Sequence, residues 1–298
     1  MFDSCKLISR EVNVFTTLVN GFRYGVFAIV LAAFPLSGCI YTSYEIAKSS
    51  GPSIPPPPEP PPPSGTMLKS QFRIGISPEY VPLAFKEAPL GLVGVEVDFA
   101  NQLGKNLGKT IVFVETPFPE LIQALLEERI DIIMSGMSIT REREKLVSFT
   151  DSYATIGQMV LVRAKNISAF PDVQSFSQLT SKVGFVQATT GEIAAKAFFP
   201  RATLAPQSTI DDGIAALRKA EIEVFIHDAP TVWRIAGNPN ERELAGLYWP
   251  LTKEPLAWAV RKDDESLRFA LNRELQQWKL SGSLKYTLSR WVTLRIWE

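Results

Sequence analysis

From residue 68 onward, short apolar runs alternate with amphipathic stretches, and that rhythm admits few folds. FRIGIS (72–77), TIVFV (110–114), IDIIMSG (130–136), KVGFVQ (182–187), ATLAP (202–206), IEVFIHD (222–228) and LAWAVR (256–261) are rich in β-branched and apolar residues. Runs of this length bounded by polar residues predict buried strands. Between them, Val95 to Leu107 places Phe99, Leu103 and Leu107 at spacing four and stops at Gly108, which predicts a helix with a glycine stop. Pro117 and Pro119 open a second helix through Glu128, with Leu121, Ala124 and Leu125 on one face; proline suits a first turn, where its missing N–H costs nothing. Further helices are expected at about 190–199, 209–220, 229–236, 264–281 and 282–291. Such alternation predicts an α/β fold of mostly parallel sheets covered by helices. Ligands of open sheets of this kind sit beyond the carboxyl ends of the strands.

The rest of the composition narrows function. The 298 residues carry 31 basic and 31 acidic side chains, so the formal net charge is zero. A nucleic-acid binder normally needs a basic face to displace counterions, and none is indicated. One His and two Cys argue against a zinc or His-rich catalytic centre, so no metal and no cofactor is expected. Hydrophobic residues make up 46% of the chain, enough for a packed core, and the length suggests two bodies.

The first forty residues have the features of a targeting segment. Lys6, Arg10 and Arg23 precede an apolar run of 13 residues, Tyr24 to Leu36. That is short of the roughly 20 residues that a membrane-spanning helix takes, and it suits the core of a secretory signal. The run ends in Leu36-Ser37-Gly38-Cys39, which resembles the lipobox of bacterial lipoproteins, cut before the cysteine that carries the lipids. The alternative is a short anchor that stays attached. The expected division is a lipoprotein signal peptide over 1–38, then lipidated Cys39 and a stalk over 39–67. Loss of residues 1–38 removes three basic and two acidic side chains, leaving 28 against 29, so membrane attachment would rest on lipid rather than on a polybasic patch.

Nine of the 22 prolines fall between Pro52 and Pro63. Proline fixes φ and lacks an N–H, so this stretch joins neither helix nor sheet. As polyproline II, at about 3.1 Å per residue, it reaches about 35–40 Å. A semi-rigid stalk is the favoured reading, and a PxxP docking segment is the rival.

Four strand ends carry polar groups that the fold alone does not require. After IDIIMSG come Ser135, Gly136, Ser138 and Thr140, then Arg141 and Arg143. Thr140 suits an N-cap, but arginine in a first turn opposes the helix dipole. A bound carboxylate or phosphate would remove that conflict; the alternative is a solvated arginine on a surface turn. QATTGE (187–192) has the capping-box spacing between Thr189 and Glu192. Asp228 ends a strand and suits either an ammonium ligand or an N-cap for the helix near Pro230. His227, one residue earlier, is expected on the other face and in a structural role. Tyr80 and Phe118 follow strands and are either core filler or walls for an apolar ligand stem. An anion site, an acid and aromatic walls together describe a pocket for a zwitterion.

Residues 68–298 resemble the bacterial extracellular solute-binding proteins of family 3, the type II periplasmic binding proteins for polar amino acids, in lipoprotein form. FRIGISPEYVPLAF is similar to the family's opening strand and aromatic turn. GLVGVEVDFANQLGKNLG resembles its G-F-D-V-D-L-A helix, with Val95 and Glu96 in place of Phe and Asp. DIIMSGMSITREREKLVSFTDSY resembles the family signature almost throughout, and EPLAWAVRKDD its G-I-A-V-R-K-G-D segment. The resemblance implies two lobes joined by two crossover strands, lobe 1 over about 68–155 and 251–298, lobe 2 over about 156–250, closing by a hinge. It implies that Arg143 grips an α-carboxylate, that Ser135, Gly136 and Ser138 contact carboxylate and amino group, and that Thr190 adds a carboxylate contact. It assigns Asp228 to the α-ammonium and Tyr80 and Phe118 to the side chain. The chain departs from the pattern at Ser77, where binders of basic amino acids often carry an acid, and at Leu83, where Phe is common. Glu79 is a candidate compensation.

The expected function is therefore a lipid-anchored, monomeric protein of the cell envelope. It faces the periplasm or exterior, captures a polar or charged amino acid, and delivers it to an ABC transporter permease. Two alternatives remain: an enzyme on the same fold, such as a cyclohexadienyl dehydratase with Glu192 as its acid, or a sensory protein acting through a partner.

Overall fold

The structure, a computed structural model, describes residues 59–291. The expected signal segment, Cys39 and most of the proline-rich stretch lie outside the described residues. The folded body begins earlier than residue 68. Gly65–Leu68 forms a single 3-10 turn. Just before it, Ser64 exchanges hydrogen bonds with Ser266, and the buried Thr66 accepts from Arg261 at 2.8 Å. The carboxyl end of the expected stalk is thus tied to the body by side chains 195 and 202 residues away.

Two five-stranded sheets organise the chain. In the first, Gln71–Ile76 lies parallel between Thr110–Glu115 and Ile132–Ile133. Ala259–Val260 then returns antiparallel, flanked by Ser148–Phe149. In the second, Lys182–Val186 lies parallel between Thr203–Gln207 and Val224–Asp228, and Gln158–Arg163 and Leu244–Leu247 complete it antiparallel. The parallel sheets expected from the alternation are present, each finished by antiparallel strands.

The first sheet packs against the helices Val95–Leu107, Glu265–Ser281 and Ser283–Trp291 through a core centred on Phe72, Phe99, Trp258, Leu271 and Trp278. The second is covered on both faces, by Phe176, Phe185 and Phe199 on one side and by Leu161, Leu217, Phe225 and Val232 on the other. The Val95–Leu107 helix ends at Gly108 in the left-handed conformation, as its glycine stop predicts.

Several expected elements are shorter or divided. The run 130–136 contributes only Ile132–Ile133 to the ladder, because Gly136 turns at φ 65° and leads the chain away as a buried loop. LAWAVR splits between Glu254–Leu256 and Ala259–Val260. The helix expected from Pro117 starts as a 3-10 turn, Phe118–Glu120, before Leu121–Leu126 becomes α-helical. Two strands of the second sheet were not read from the sequence at all. Gln158–Arg163 is buried at every position; at its far end Arg163 donates to the carbonyls of Leu217 and Ile222 and pairs with Glu223, while its Nε has no partner. Leu244–Leu247 pairs along it.

Ala154–Ile156 and Glu254–Leu256 form a two-stranded antiparallel ribbon that carries the chain between the two sheets. Just beyond it, a Cβ on Gly157 would overlap the Thr252 carbonyl, so only glycine lets the two segments approach so closely.

Candidate functional site

The carboxyl ends of four strands converge on one cleft. Gln71–Ile76 delivers Ser77, Glu79 and Tyr80; Ile132–Ile133 delivers the loop with Gly136 and Ser138; Lys182–Val186 delivers Thr189 and Thr190; and Val224–Asp228 ends in the cleft. Arg143, Phe118, Val186, Ile210 and His227 complete the lining, around about 540 Å³ of empty space that includes the mouth. Seven of the eight residues expected to hold ligand are brought together here. Ser135 does not join them: it is buried behind the wall, where its hydroxyl accepts from the Ser77 N–H at 2.9 Å.

The Gly136 loop is held from behind by Glu96. This fully buried carboxylate accepts from the Gly136 N–H at 2.7 Å, the Tyr153 hydroxyl at 2.6 Å and the Trp258 indole at 3.0 Å. Burial raises its pKa, and the three donors oppose that rise. The Gly136 N–H is therefore taken up and is no longer a donor for a ligand.

Arg143 resolves the dipole conflict that the sequence posed. Thr140 caps the short helix Arg141–Glu144, its hydroxyl accepting from the Arg143 N–H. The guanidinium turns into the cleft, lies over the Phe118 ring at 5.4 Å, and donates to the carbonyls of Ser138 at 2.9 Å and Ala188 at 3.2 Å. Burial pulls its pKa below the ordinary value, while Asp228 and Glu254 counteract this. Among the described residues no carboxylate lies within ion-pair distance of it, and three of its five N–H groups remain for an anion.

On the opposite wall, Asp228 occupies the N-cap position of the Ala229–Ala236 helix, yet its side chain makes no cap bond. Its carboxylate accepts instead from the Tyr80 hydroxyl and from the Gln158 amide, which also donates to the Thr190 hydroxyl at 3.0 Å. Burial raises the Asp228 pKa, and the two bonds and Arg143 lower it. The Tyr80 phenol is pushed well above its ordinary range by burial and by Asp228, so it stays a donor. Thr189 and Glu192 do not form the expected capping box. The Thr189 hydroxyl donates back to the Val186 carbonyl, and Glu192 pairs with Lys196 on the surface, so its charge is satisfied outside the cleft.

His227 was expected on the face away from Asp228, but it borders the same cleft. Tyr80 reaches across and meets its ring edge-on at 5.6 Å, while Phe225 stacks behind at 5.9 Å. Burial, with Arg234 nearby, lowers its pKa to about 3, so the imidazole is uncharged at neutral pH. Sequence reasoning missed Gln158, Glu254 and the role of Glu96. Each is a polar residue set in or beside an apolar run, and that isolation is the signal that could have found them, because buried polar groups must be bonded.

The architecture has counterparts in known proteins. A histidine-binding periplasmic protein of Salmonella typhimurium is 39% identical over 126 residues, which is 42% of this chain and 47% of that protein. The chain thus spans about half the length of that histidine-binding periplasmic protein. The arginine-binding extracellular protein ArtP of Bacillus subtilis is 28% identical over 232 residues, covering 76% of this chain and 87% of that one. Among solved structures, a putative ABC-transporter binding component from Wolinella succinogenes complexed with lysine superposes with a TM-score of 0.71 at 30% identity, covering 77% of this chain and 99% of that chain. An ancestral amino-acid-binding protein described as a precursor of cyclohexadienyl dehydratase gives 0.69 at 31% identity, over 74% and 95%. The fold is that of the two-lobed type II periplasmic binding proteins. The family model of the bacterial extracellular solute-binding proteins, family 3, matches residues 72–294, and the chain belongs to that family.

Proposed function

We propose that the protein captures an α-amino acid with a basic side chain in this cleft and passes it to an ABC permease. The observation that carries the proposal is that Arg143 and Asp228 line one cleft, with Phe118 under the Arg143 guanidinium and Tyr80 bonded to Asp228. A free guanidinium face suits an α-carboxylate, and a buried carboxylate suits an α-ammonium. Charge favours a basic ligand. Glu79 and Asp228 line the cleft and Glu254 acts on Arg143 from beside it, three carboxylates against one guanidinium. A cationic side chain offsets that excess, with Glu79 at the mouth as its partner in place of the acid absent at Ser77. The relatives named for histidine and arginine, and the one complexed with lysine, are consistent with this class. An enzymatic role is less favoured, since Glu192, the acid it would use, is half-buried, paired with Lys196 and absent from the cleft lining.

The remaining organisation belongs to the same reading. Residues 1–38 are a signal peptide, Cys39 carries lipid, the prolines form a stalk, and residues 156–250 move as one lobe against the rest of the folded body. A thermal-shift screen of the twenty amino acids tests the binding role. A ligand at 100 times its Kd stabilises by about 2.7 kcal/mol, and arginine, lysine or histidine should give the largest shift. No shift with any amino acid would refute the reading. Cys39→Ser should release the protein from membranes, and retention in the membrane pellet would refute the lipid anchor.

A further inference from the structure

A chain of hydrogen bonds runs through the crossover ribbon from one wall of the cleft to the other. The Ser138 hydroxyl donates to Glu254 Oε2 at 2.7 Å, and the Thr252 hydroxyl donates to Glu254 Oε1 at 2.6 Å. The same Thr252 oxygen accepts from the Gln158 backbone N–H at 2.9 Å, and the Leu251 N–H holds the Gln158 carbonyl at 2.8 Å. Gln158 then grips Asp228 and Thr190 with its side-chain amide.

A two-stranded ribbon needs only its backbone ladder, so nothing in the ribbon itself calls for these side chains. Glu254 is a buried carboxylate, and among the described residues no cation lies within ion-pair distance of it. Such a group is costly to bury unless its oxygens are occupied, and here they are occupied by hydroxyls that lead in opposite directions. Gln158 is held at its backbone by the segment that follows the second sheet and holds the Asp228 carboxylate with its amide. A displacement of Ser138 therefore has a path to the orientation of Asp228 that avoids the open cleft.

We infer that Glu254, Thr252 and Gln158 are positioning residues, a relay through the hinge that couples the Ser138 loop to the ammonium-binding acid. The relay rests on the proposed binding role, and it makes capture cooperative: the two ends of the ligand are sensed together. Hydrogen-bonded networks between sites carry couplings that correspond to about two- to thirtyfold in affinity.

The test uses the folded chain and L-arginine, L-lysine and L-histidine as probes. Thr252→Val removes the middle link without touching the cleft and should weaken binding of the preferred probe by about two- to thirtyfold. Thr252→Ser, which keeps the hydroxyl, should restore it. A ligand-free measurement separates the relay from the binding role. In isotope-labelled protein stripped of ligand, Ser138→Ala should shift the Gln158 side-chain amide resonances, and that shift should vanish when Thr252→Val is added. Wild-type affinity in a folded Thr252→Val protein overturns the relay, as do Gln158 resonances indifferent to Ser138→Ala. If none of the three amino acids binds the wild type, the proposed function fails, and the resonance experiment still decides the relay.

Discussion

Gly136→Ala offers a quantitative check on how the ligand loop is built. Gly136 sits at φ 65°, where an L side chain costs roughly 1–2 kcal/mol. An added Cβ would lie 2.5 Å from Leu83 Cδ1 and 2.9 Å from Tyr80 Cε1. Leu83 has no exposed surface, so the methyl has nowhere to go without moving the tyrosine. Overpacking of this kind costs about 1–3 kcal/mol, giving a combined loss of about 2–5 kcal/mol. Gly91 supplies the control: it has φ 80° and nothing within 4 Å of an added Cβ, so Gly91→Ala carries only the conformational cost of about 1–2 kcal/mol. Denaturant unfolding of both variants should separate them by the packing contribution. Calorimetric titration should separate them further, since displacing Tyr80 loosens its hydroxyl from Asp228 and should weaken amino-acid binding at least about tenfold, or about 1.4 kcal/mol. The Gly91 variant should bind as the wild type does. Equal destabilisation by the two substitutions, or wild-type affinity in Gly136→Ala, would refute the argument.

Arg143→Ala should abolish amino-acid binding by calorimetry and leave the circular dichroism spectrum unchanged, because the side chain faces the cleft. Asp228→Asn keeps the shape, its Oδ1 still accepting from Gln158 while its Nδ2 becomes a donor toward the Tyr80 oxygen, but removes the charge, so it should weaken binding of an α-amino acid far more than binding of its des-amino analogue; equal losses would remove Asp228 from the ammonium site. Asp131 gives a pH signature. Burial alone would raise its pKa, but bonds from Arg73 and Lys69 outweigh that and hold it at about 2, against an ordinary 3.8. At 1.36 kcal/mol per pH unit this is about 2.5 kcal/mol, reduced to about 1–2 kcal/mol by screening at Lys69 and Arg73, which are 39% and 28% exposed. A depressed carboxyl pKa stabilises above the unfolded value, so the advantage of the wild type over Asp131→Asn should be full above about pH 4 and fade as pH falls toward 2. A gap that is constant from pH 7 to 2.5 would contradict the ion pair.

What could be read before the structure follows from the range of the forces involved. The Val95–Leu107 helix, its Gly108 stop and the Thr140 cap depend on neighbours within a turn or two, and all three appear as the spacing predicts. Gln158–Arg163 carries the same local strand signal, Met-Val-Leu-Val, as the runs that were read; what its sequence does not disclose is its place, antiparallel between Val224–Asp228 and Leu244–Leu247. The same distinction separates the readings of Asp228 and Thr189. Both stand before a helix, and local chemistry assigns both as caps. For Asp228 a tyrosine 148 residues away and a glutamine 70 residues away draw the carboxylate out of the cap and into the cleft. For Thr189 the competitor is local, the Val186 carbonyl three residues back, and nothing in the S/T-x-x-E pattern reveals it. A polar residue at a strand end is therefore ambiguous in sequence for a physical reason: its cap partner is always present, and its functional partner arrives only with the fold. Glu254 is the limiting case. Its isolation beside an apolar segment marks it as a group that must be bonded, but the partner is seen only when Ser138, from a loop more than a hundred residues earlier, donates to it.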